Sequence, residues 1–184
     1  MSFEQKPNPL FFVMLEYAKL KEEQLKRIEL RDRMVDLNLA AVGVIGAWAF
    51  THQQPPYSLL LIPWVCVVMG WSYLFNDDKV SALGEYFRRD MADRLGKNLG
   101  VPPEELFQWE VLHRSVPSRR FQKCLQFFVD QVTFVLSGIA AIVVLVYLAP
   151  PESAIMWATV GIEAAFLLML SFFFWYLGDF AKGR

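Results

Sequence analysis

Four long stretches with almost no charged side chains restrict the fold of this 184-residue chain more than any other feature. They cover residues 34–50, 57–75, 132–149 and 154–178. The first contains Asp36 and Asn38, the third is extended backwards by residues 125–129, which are apolar except for Gln126, and the fourth contains a single charged residue, Glu163. Each stretch approaches the roughly 20 apolar residues that a helix needs to cross a bilayer. The sequence therefore predicts four transmembrane helices.

The overall composition favours membrane helices over other classes of structure. Apolar residues make up 55% of the chain and aromatic residues 15%, and the apolar residues do not alternate with polar ones as they would in barrel strands. The net charge of −1 gives no reason to expect a nucleic-acid partner. Cys66 and Cys124 lie in or beside apolar stretches, so we expect two small buried residues and no disulfide.

The distribution of basic residues predicts the orientation. Of the 18 Lys and Arg residues, seven precede residue 34, nine lie in 79–123 and two follow residue 178. The loops at 51–56 and 150–153 contain none. Because cytoplasmic segments retain an excess of basic residues, we expect both termini and the middle segment to be cytoplasmic, in a multi-pass protein of the inner (plasma) membrane. The lipid bilayer that surrounds the spans is then the first predicted partner of the chain.

The segment before the first span is predicted to be a charged helical stalk. It is rich in strong helix formers, with acidic residues four positions before basic ones. It is expected to run directly into the span, so that residues 10–50 form one helix. Its apolar stripe is thin and consists of Leu25, Ile28 and Val35. Two interpretations remain open: a solvated stalk, or a stalk that packs against a partner or a sister subunit.

The middle segment is predicted to form a small helical layer. Apolar residues recur at helical spacing in 79–95, and Gly96 is expected to end that helix. Pro102 and Pro103 are expected to begin a second, short helix. About 50 residues are too few for an independent enzyme domain, so we expect this layer to pack on the stalk.

The predicted fold class is all-α: a four-helix transmembrane bundle with a long N-terminal helical stalk and a small cytoplasmic helical layer. The chain divides into a cytoplasmic charged helix, a first transmembrane hairpin, a cytoplasmic helical segment, a second transmembrane hairpin and a cytoplasmic tail. These parts cover residues 1–33, 34–75, 76–123, 124–178 and 179–184.

Glu163 is the strongest candidate for a functional residue. It lies about ten residues into the fourth span, roughly 15 Å below the surface at 1.5 Å per residue. An acid at that depth is expected to face the interior of the bundle or water. Counting equal depths on the other spans brings small residues to its level, namely Ala40, Gly43, Cys66, Gly70, Gly138 and Ala141. Glu163 is either a permeation residue or a protonated acid bonded to a neighbouring carbonyl.

Further polar residues cluster where each span meets the cytoplasm. They are Asp36, Asn38, Asp77, Asp78, Asp130 and Asp179. Acids at one depth could form a vestibule that concentrates cations, with Asp36, Asn38 and Asp130 as further permeation candidates. The alternative is a set of interface acids paired with Arg33, Lys79 or Arg120.

Basic residues before the third span are expected to anchor it to anionic lipid. They are Arg119, Arg120 and Lys123. Sequence templates for hydrolases, P-loop proteins, zinc proteases and dithiol enzymes are missing, so we expect no catalytic residue, metal or cofactor. The histidines His52 and His113 are predicted to lie on opposite sides of the membrane.

Two strings of sequence carry a resemblance to known proteins. EYAKLKEEQLKRIELRD and GWSYLFNDDKVSALGEYFRRDM, each placed against a span, resemble a group of uncharacterised bacterial four-span membrane proteins. The resemblance covers most of the chain and implies the four-span fold but no activity. The layout of charged helices with a few spans is also similar to membrane effectors of bacterial defence systems.

The leading functional hypothesis is a non-enzymatic membrane protein that assembles into homo-oligomers. The assembly could conduct ions or permeabilise the membrane under control of the cytoplasmic helices. One alternative is a scaffold or adaptor that holds a cytoplasmic protein partner at the membrane, and another is a small ion-coupled carrier that uses Glu163.

Overall fold

The computed structural model of the chain describes residues 9–51, 56–106 and 119–177, and these residues form helices and short connections without strands. Four of its helical stretches are long and apolar enough to cross a membrane, which confirms the predicted all-α four-helix bundle. They are Leu10–Thr51, Tyr57–Leu99, Phe121–Leu148 and Ala154–Leu177. His52, His113 and Asp179 lie outside the described residues.

The first helix, α1, is continuous over Pro9–Thr51, 43 residues in all. At 1.5 Å per residue it is about 65 Å long, so it extends far beyond the membrane. The prediction of one helix that joins stalk and first span is confirmed.

The second helical stretch also runs well beyond its apolar part. A 3₁₀ turn at Tyr57–Leu60 leads into α2 (Leu61–Tyr86), a π-helical turn at Phe87–Met91 and then α3 (Ala92–Leu99). The predicted end of this helix at Gly96 is wrong. The helix ends at Gly100, whose φ of 68° lies in the left-handed region. At Gly96 a Cβ atom would come within 2.7 Å of the Val101 carbonyl oxygen, so close approach of the returning chain favours glycine there.

The remaining helices form the second half of the bundle. Helix α4 (Arg119–Asp130) continues through a π-helical turn at Gln131–Leu136 into α5 (Ser137–Leu148), and α6 covers Ala154–Leu177. The short element that begins at Pro103 is a 3₁₀ turn, Pro103–Glu105, in the described residues. Cys66 is buried as expected, whereas Cys124 is exposed on α4, so the prediction for Cys124 is wrong.

Helices α1 and α2 are paired antiparallel beyond the membrane-crossing region. Gln24 on α1 donates to the Val80 carbonyl, Arg31 donates to Asp77 at 2.9 Å, and Tyr86 donates to Glu16 at 2.6 Å. The two ends of the bundle are named accordingly. The stalk end is the end from which α1 and α2 continue as this pair, and the turn end holds Thr51, Tyr57, Leu148 and Ala154.

A second small core holds this pair together. Phe87, Met91 and Leu95 are buried there against apolar residues of α1, including Leu10, Val13, Tyr17 and Leu20. The Tyr17 and Phe87 rings meet edge to face at 5.3 Å. The stalk is therefore neither solvated on all sides nor dependent on another chain for a packing surface.

The predicted apolar stripe of the stalk is wrong in part. The Leu25 side chain is 66% exposed, whereas Val35 packs against the main core of the bundle. The difference arises because polar side chains such as Gln24 and Arg31 occupy part of the face of α1 that contacts α2.

The main core lies among the four membrane-crossing helices. Helix α2 packs against α1, α5 and α6, so α1 and α6 flank it. Phe134, Leu145, Leu167 and Leu170 are completely buried in this core. Aromatic rings at Trp64 and Trp71 of α2 contact Phe166 and Phe173 of α6, which fixes the register of these two helices.

Candidate functional site within the bundle

Glu163 points into the bundle, as predicted. Its residue is 1% exposed, and neither carboxyl oxygen has a hydrogen-bond partner among the described residues. It lies nine residues after Ala154, the first residue of α6, which places it about 14 Å along the helix from the turn end. A buried polar group without a partner is costly in a protein interior. The alternative of an acid bonded to a neighbouring carbonyl receives no support from the contacts.

Two aromatic rings lie beside this carboxyl group. The Trp64 indole of α2 lies next to the carboxyl group but not in hydrogen-bonding geometry. Trp64 contacts the Phe166 ring at 5.6 Å between centroids, and Phe166 is one turn further along α6 from Glu163. Trp64 is 41% exposed and Phe166 36%. The two rings therefore sit at the lipid-facing surface of the seam between α2 and α6, next to a carboxyl group that is itself hidden.

A tightly packed apolar layer lies on the stalk side of Glu163. A Cβ atom at Gly70 would come within 2.7 Å of Leu170 Cδ2, and one at Gly138 within 2.8 Å of the Leu167 methyl carbons. Phe134 lies in the same layer, with its Cβ 3.1 Å from the Gly70 position. The two glycines let the helices approach each other closely, and the large side chains fill the space between them.

The prediction that small residues surround Glu163 is wrong for Gly70 and Gly138. Gly70 and Gly138 lie against Leu170 and Leu167, two turns and one turn from Glu163 towards the stalk end. Gly43 has no atom within 4 Å of its Cβ position. For Gly70 and Gly138, counting residues from the ends of the apolar stretches gave the wrong depth, because the helices start at different heights.

A second buried polar group lies where α1 meets the π-helical turn Gln131–Leu136. Asn38 is completely buried, and its Nδ2 donates to the Thr133 carbonyl oxygen at 2.8 Å. Its Oδ1 has no partner in the described part of the chain. Cys66 of α2 lies beside the Asn38 side chain. The π-helical turn makes this bond feasible, because a wider turn leaves a carbonyl group free to accept from another helix.

A third polar group lies at the stalk end. Gln126 donates to the Tyr73 hydroxyl at 2.7 Å and to Asp130 at 2.9 Å. Arg31 lies with its guanidinium group 6.0 Å from the Tyr73 ring centre and binds Asp77. These contacts tie α1, α2 and α4 together where the bundle meets the stalk.

The predicted inner-face acids do not share one position in the fold. Asp77 pairs with Arg31, Asp130 is buried with Gln126, and Asp36 is exposed on α1. Asp78 is half-buried on α2. Asp77 and Asp130 thus both belong to the polar group around Tyr73, whereas Asp36 is exposed on α1, so the acids among the described residues do not all meet in one vestibule.

The predicted lipid anchor can be placed only in part. Lys123 is half-buried on α4, and the backbones of Arg119 and Arg120 begin that helix, while their side chains lie outside the described residues. Exposed apolar side chains accompany them on α4, including Phe121, Leu125 and Phe128.

Sequence reasoning missed the aromatic neighbours of Glu163. A signal was present: Trp64 and Trp71 on one span, and Phe166 and Phe173 on another, share a spacing of seven residues. It also missed the Arg31–Asp77 pair and the Asn38 bond, which depend on how α1 is rotated against its neighbours. In the described ranges no group of three metal-binding side chains comes together.

The fold and the apolar lengths of its helices define a multi-pass helical membrane protein. No family model, curated protein or solved structure matches the chain. The function therefore has to be argued from the surfaces and the buried polar groups described above.

Proposed function

We propose that this protein is a non-enzymatic multi-pass membrane protein that works as an assembly of identical copies, with α1 at the contact between copies. Helix α1 is the least covered of the four. Only 11% of its 18-residue apolar stretch is buried within the chain, compared with 39%, 33% and 28% for the other three helices. A helix with so little cover within one chain has most of its surface available for another copy.

The exposed Asp36 is the observation that carries this proposal. Asp36 lies on the uncovered face of α1 in line with Ala40, Gly43 and Ala47, at spacings of four, three and four residues. It makes no ion pair or hydrogen bond with any residue that the structure describes. Acids at membrane depth are expensive against lipid and normally face protein or water. Small residues beside it are typical of helix contacts inside membranes.

A matching face lies on α6, on the other flank of α2. Ala158, Gly161 and Ala165 are exposed there, and a Cβ atom at Gly161 or at Gly43 would meet nothing within 4 Å. The contacts of α2 inside the bundle relate the two depths: Asn38 of α1 lies beside Cys66, while Gly70 packs against Leu170 of α6. Because each α-helix rises by 1.5 Å per residue, these contacts also place Gly43 and Gly161 at about the same level of the bundle.

The two faces fit a head-to-tail arrangement, in which α1 of one copy packs on α6 of the next. Contacts between two different faces close into a ring when the rotation between copies allows it. The layer of Phe134, Leu167 and Leu170 closes the interior of a single bundle. Any ion path would therefore run between copies, where Asp36 lies. We propose the inner (plasma) membrane as its location, with both termini in the cytoplasm.

A scaffold for a cytoplasmic protein is the second candidate function. Four large apolar side chains are exposed near the start of α1, those of Phe11, Phe12, Met14 and Leu15. Exposed apolar groups of this kind often mark a contact with another protein.

Cross-linking between two cysteine variants tests the assembly. In a Cys124→Ser background, Gly43→Cys and Gly161→Cys chains carrying different tags are co-expressed, and the membranes are oxidised. We expect a disulfide between the two variants, because the α1 and α6 faces meet. Val143→Cys replaces Gly161→Cys as the control, since Val143 is 59% exposed on α5 and lies off both faces.

Each result of the experiment has a definite meaning. Cross-links between two Gly43→Cys chains, without any to Gly161→Cys, would keep the assembly but replace the head-to-tail arrangement by a symmetric α1 contact. No cross-links from Gly43→Cys, or equal yields with Val143→Cys, would contradict assembly through α1. Ion flux in liposomes then separates a conducting assembly from a scaffold.

A further inference from the structure

We propose that Glu163, Trp64 and Phe166 form a binding site for a lipophilic organic cation, open to the lipid between α2 and α6. The site lies within one copy and uses no residue of the proposed contact between copies. It therefore stands or falls separately from the assembly.

The carboxyl group supplies the charge that such a ligand needs. Both oxygens of Glu163 are buried and have no hydrogen-bond partner among the described residues. A small inorganic cation needs several oxygen ligands in its first shell, and no cluster of acidic or other metal-binding side chains surrounds Glu163 in the described part of the chain. A bulky organic cation is weakly hydrated and needs only one countercharge and an apolar surface.

The aromatic pair supplies that surface. Trp64 and Phe166 stand 5.6 Å apart between ring centres and are inclined by 50°. A cation within about 6 Å of an aromatic ring is attracted by its face, most strongly for Trp. An acid beside two rings thus combines the two interactions that recognise quaternary ammonium and phosphonium groups.

The route into the site runs from the lipid. The packed layer of Phe134, Leu167 and Leu170, all completely buried, closes the stalk side. Trp64 and Phe166 are both partly exposed at the outer surface of the bundle. A ligand that partitions into the bilayer would reach Glu163 by displacing these rings laterally.

The same two helices contain a matched pair of rings without an acid. Trp71 and Phe173 contact each other at 5.0 Å, and Trp71 is 41% exposed, the same fraction as Trp64. Leu170 precedes Phe173 by three residues, as Glu163 precedes Phe166. The comparison separates the effect of the carboxyl group from that of exposed aromatic rings in general.

Equilibrium binding of tetraphenylphosphonium to the purified full-length protein in detergent tests the proposal. We expect saturable binding to the wild type and a loss of at least about tenfold in affinity for Glu163→Gln, because the buried countercharge is gone. Trp64→Ala should also weaken binding, whereas Trp71→Ala should leave it unchanged. Elution on a sizing column verifies that each variant is folded.

A second measurement uses the wild type alone. Dicyclohexylcarbodiimide should modify Glu163, and tetraphenylphosphonium should slow that reaction by occupying the site. Unchanged affinity of Glu163→Gln, equal losses in Trp64→Ala and Trp71→Ala, or modification at the same rate with and without the cation would each overturn the proposal.

Discussion

Asn38 and Glu163, two buried polar side chains in the membrane-crossing part of the chain, differ in their hydrogen bonding. Asn38 donates to the Thr133 carbonyl oxygen at 2.8 Å and so joins α1 to the π-helical turn. Glu163 has no such bond on either oxygen within the described residues. A buried polar group with a partner stabilises the fold only modestly, whereas one without a partner weakens it. Asn38 is therefore suited to a structural role, and Glu163 is retained at a cost to stability.

This difference predicts opposite effects for the same kind of substitution. Asn38→Leu should lower stability by about 1–3 kcal/mol, because it leaves the Thr133 carbonyl oxygen unpaired. Glu163→Leu should raise stability or leave it unchanged, since it removes an unpartnered carboxyl group from an apolar site. Thermal unfolding in detergent measures both, with Glu163→Gln as the near-isosteric control. A clear loss of stability in Glu163→Leu would show that its carboxyl group has a partner after all.

Among the elements, the long α1–α2 pair gives the protein a rigid extension beyond the membrane. Its second core consists of Phe87, Met91 and Leu95 with apolar side chains of α1. The π-helical turn Phe87–Met91 contains two of these residues, so the change in helix pitch occurs within this second core. The hydrophobic period of the sequence predicted a helix here, but the π-helical turn depends on tertiary packing and leaves no mark in the sequence.

Truncating the centre of this second core should loosen the extension without affecting the bundle. Phe87→Ala should destabilise the pair by about 3–5 kcal/mol, because a completely buried ring is lost. Leu25→Ala is the control, since that side chain is largely exposed and should change stability by less than about 0.5 kcal/mol. Hydrogen exchange should become faster in residues 10–24 of Phe87→Ala only. Equal protection in both variants would show that α1 is held in place by something other than this core.

For the whole molecule, the sequence was sufficient to predict the architecture but not the rotation of the helices. Length and lack of charge predicted four spans, and the cost of an acid in hydrocarbon predicted that Glu163 faces inwards. Which residues surround Glu163 depends on the heights and rotations of four helices. For this reason Gly70 and Gly138 were assigned to the wrong level, and Trp64 was not identified. Asp36, in contrast, was singled out by sequence, and only the structure shows that it lies on the uncovered face of α1.

Orientation in the membrane is a property of the whole chain, and the distribution of charge predicts it. Sixteen of the 18 basic residues lie before residue 34 or in 79–123, and none lies in 51–56 or 150–153. The paired helices at the stalk end place the described parts of both basic segments on the same side of the bundle. Because basic segments are retained in the cytoplasm, a reporter fused after residue 184 should be active only in its cytoplasmic form. One inserted in 51–56 should be active only in its external form. External activity at the C-terminus with cytoplasmic activity in 51–56 would reverse the orientation, and the same side for both would contradict four crossings.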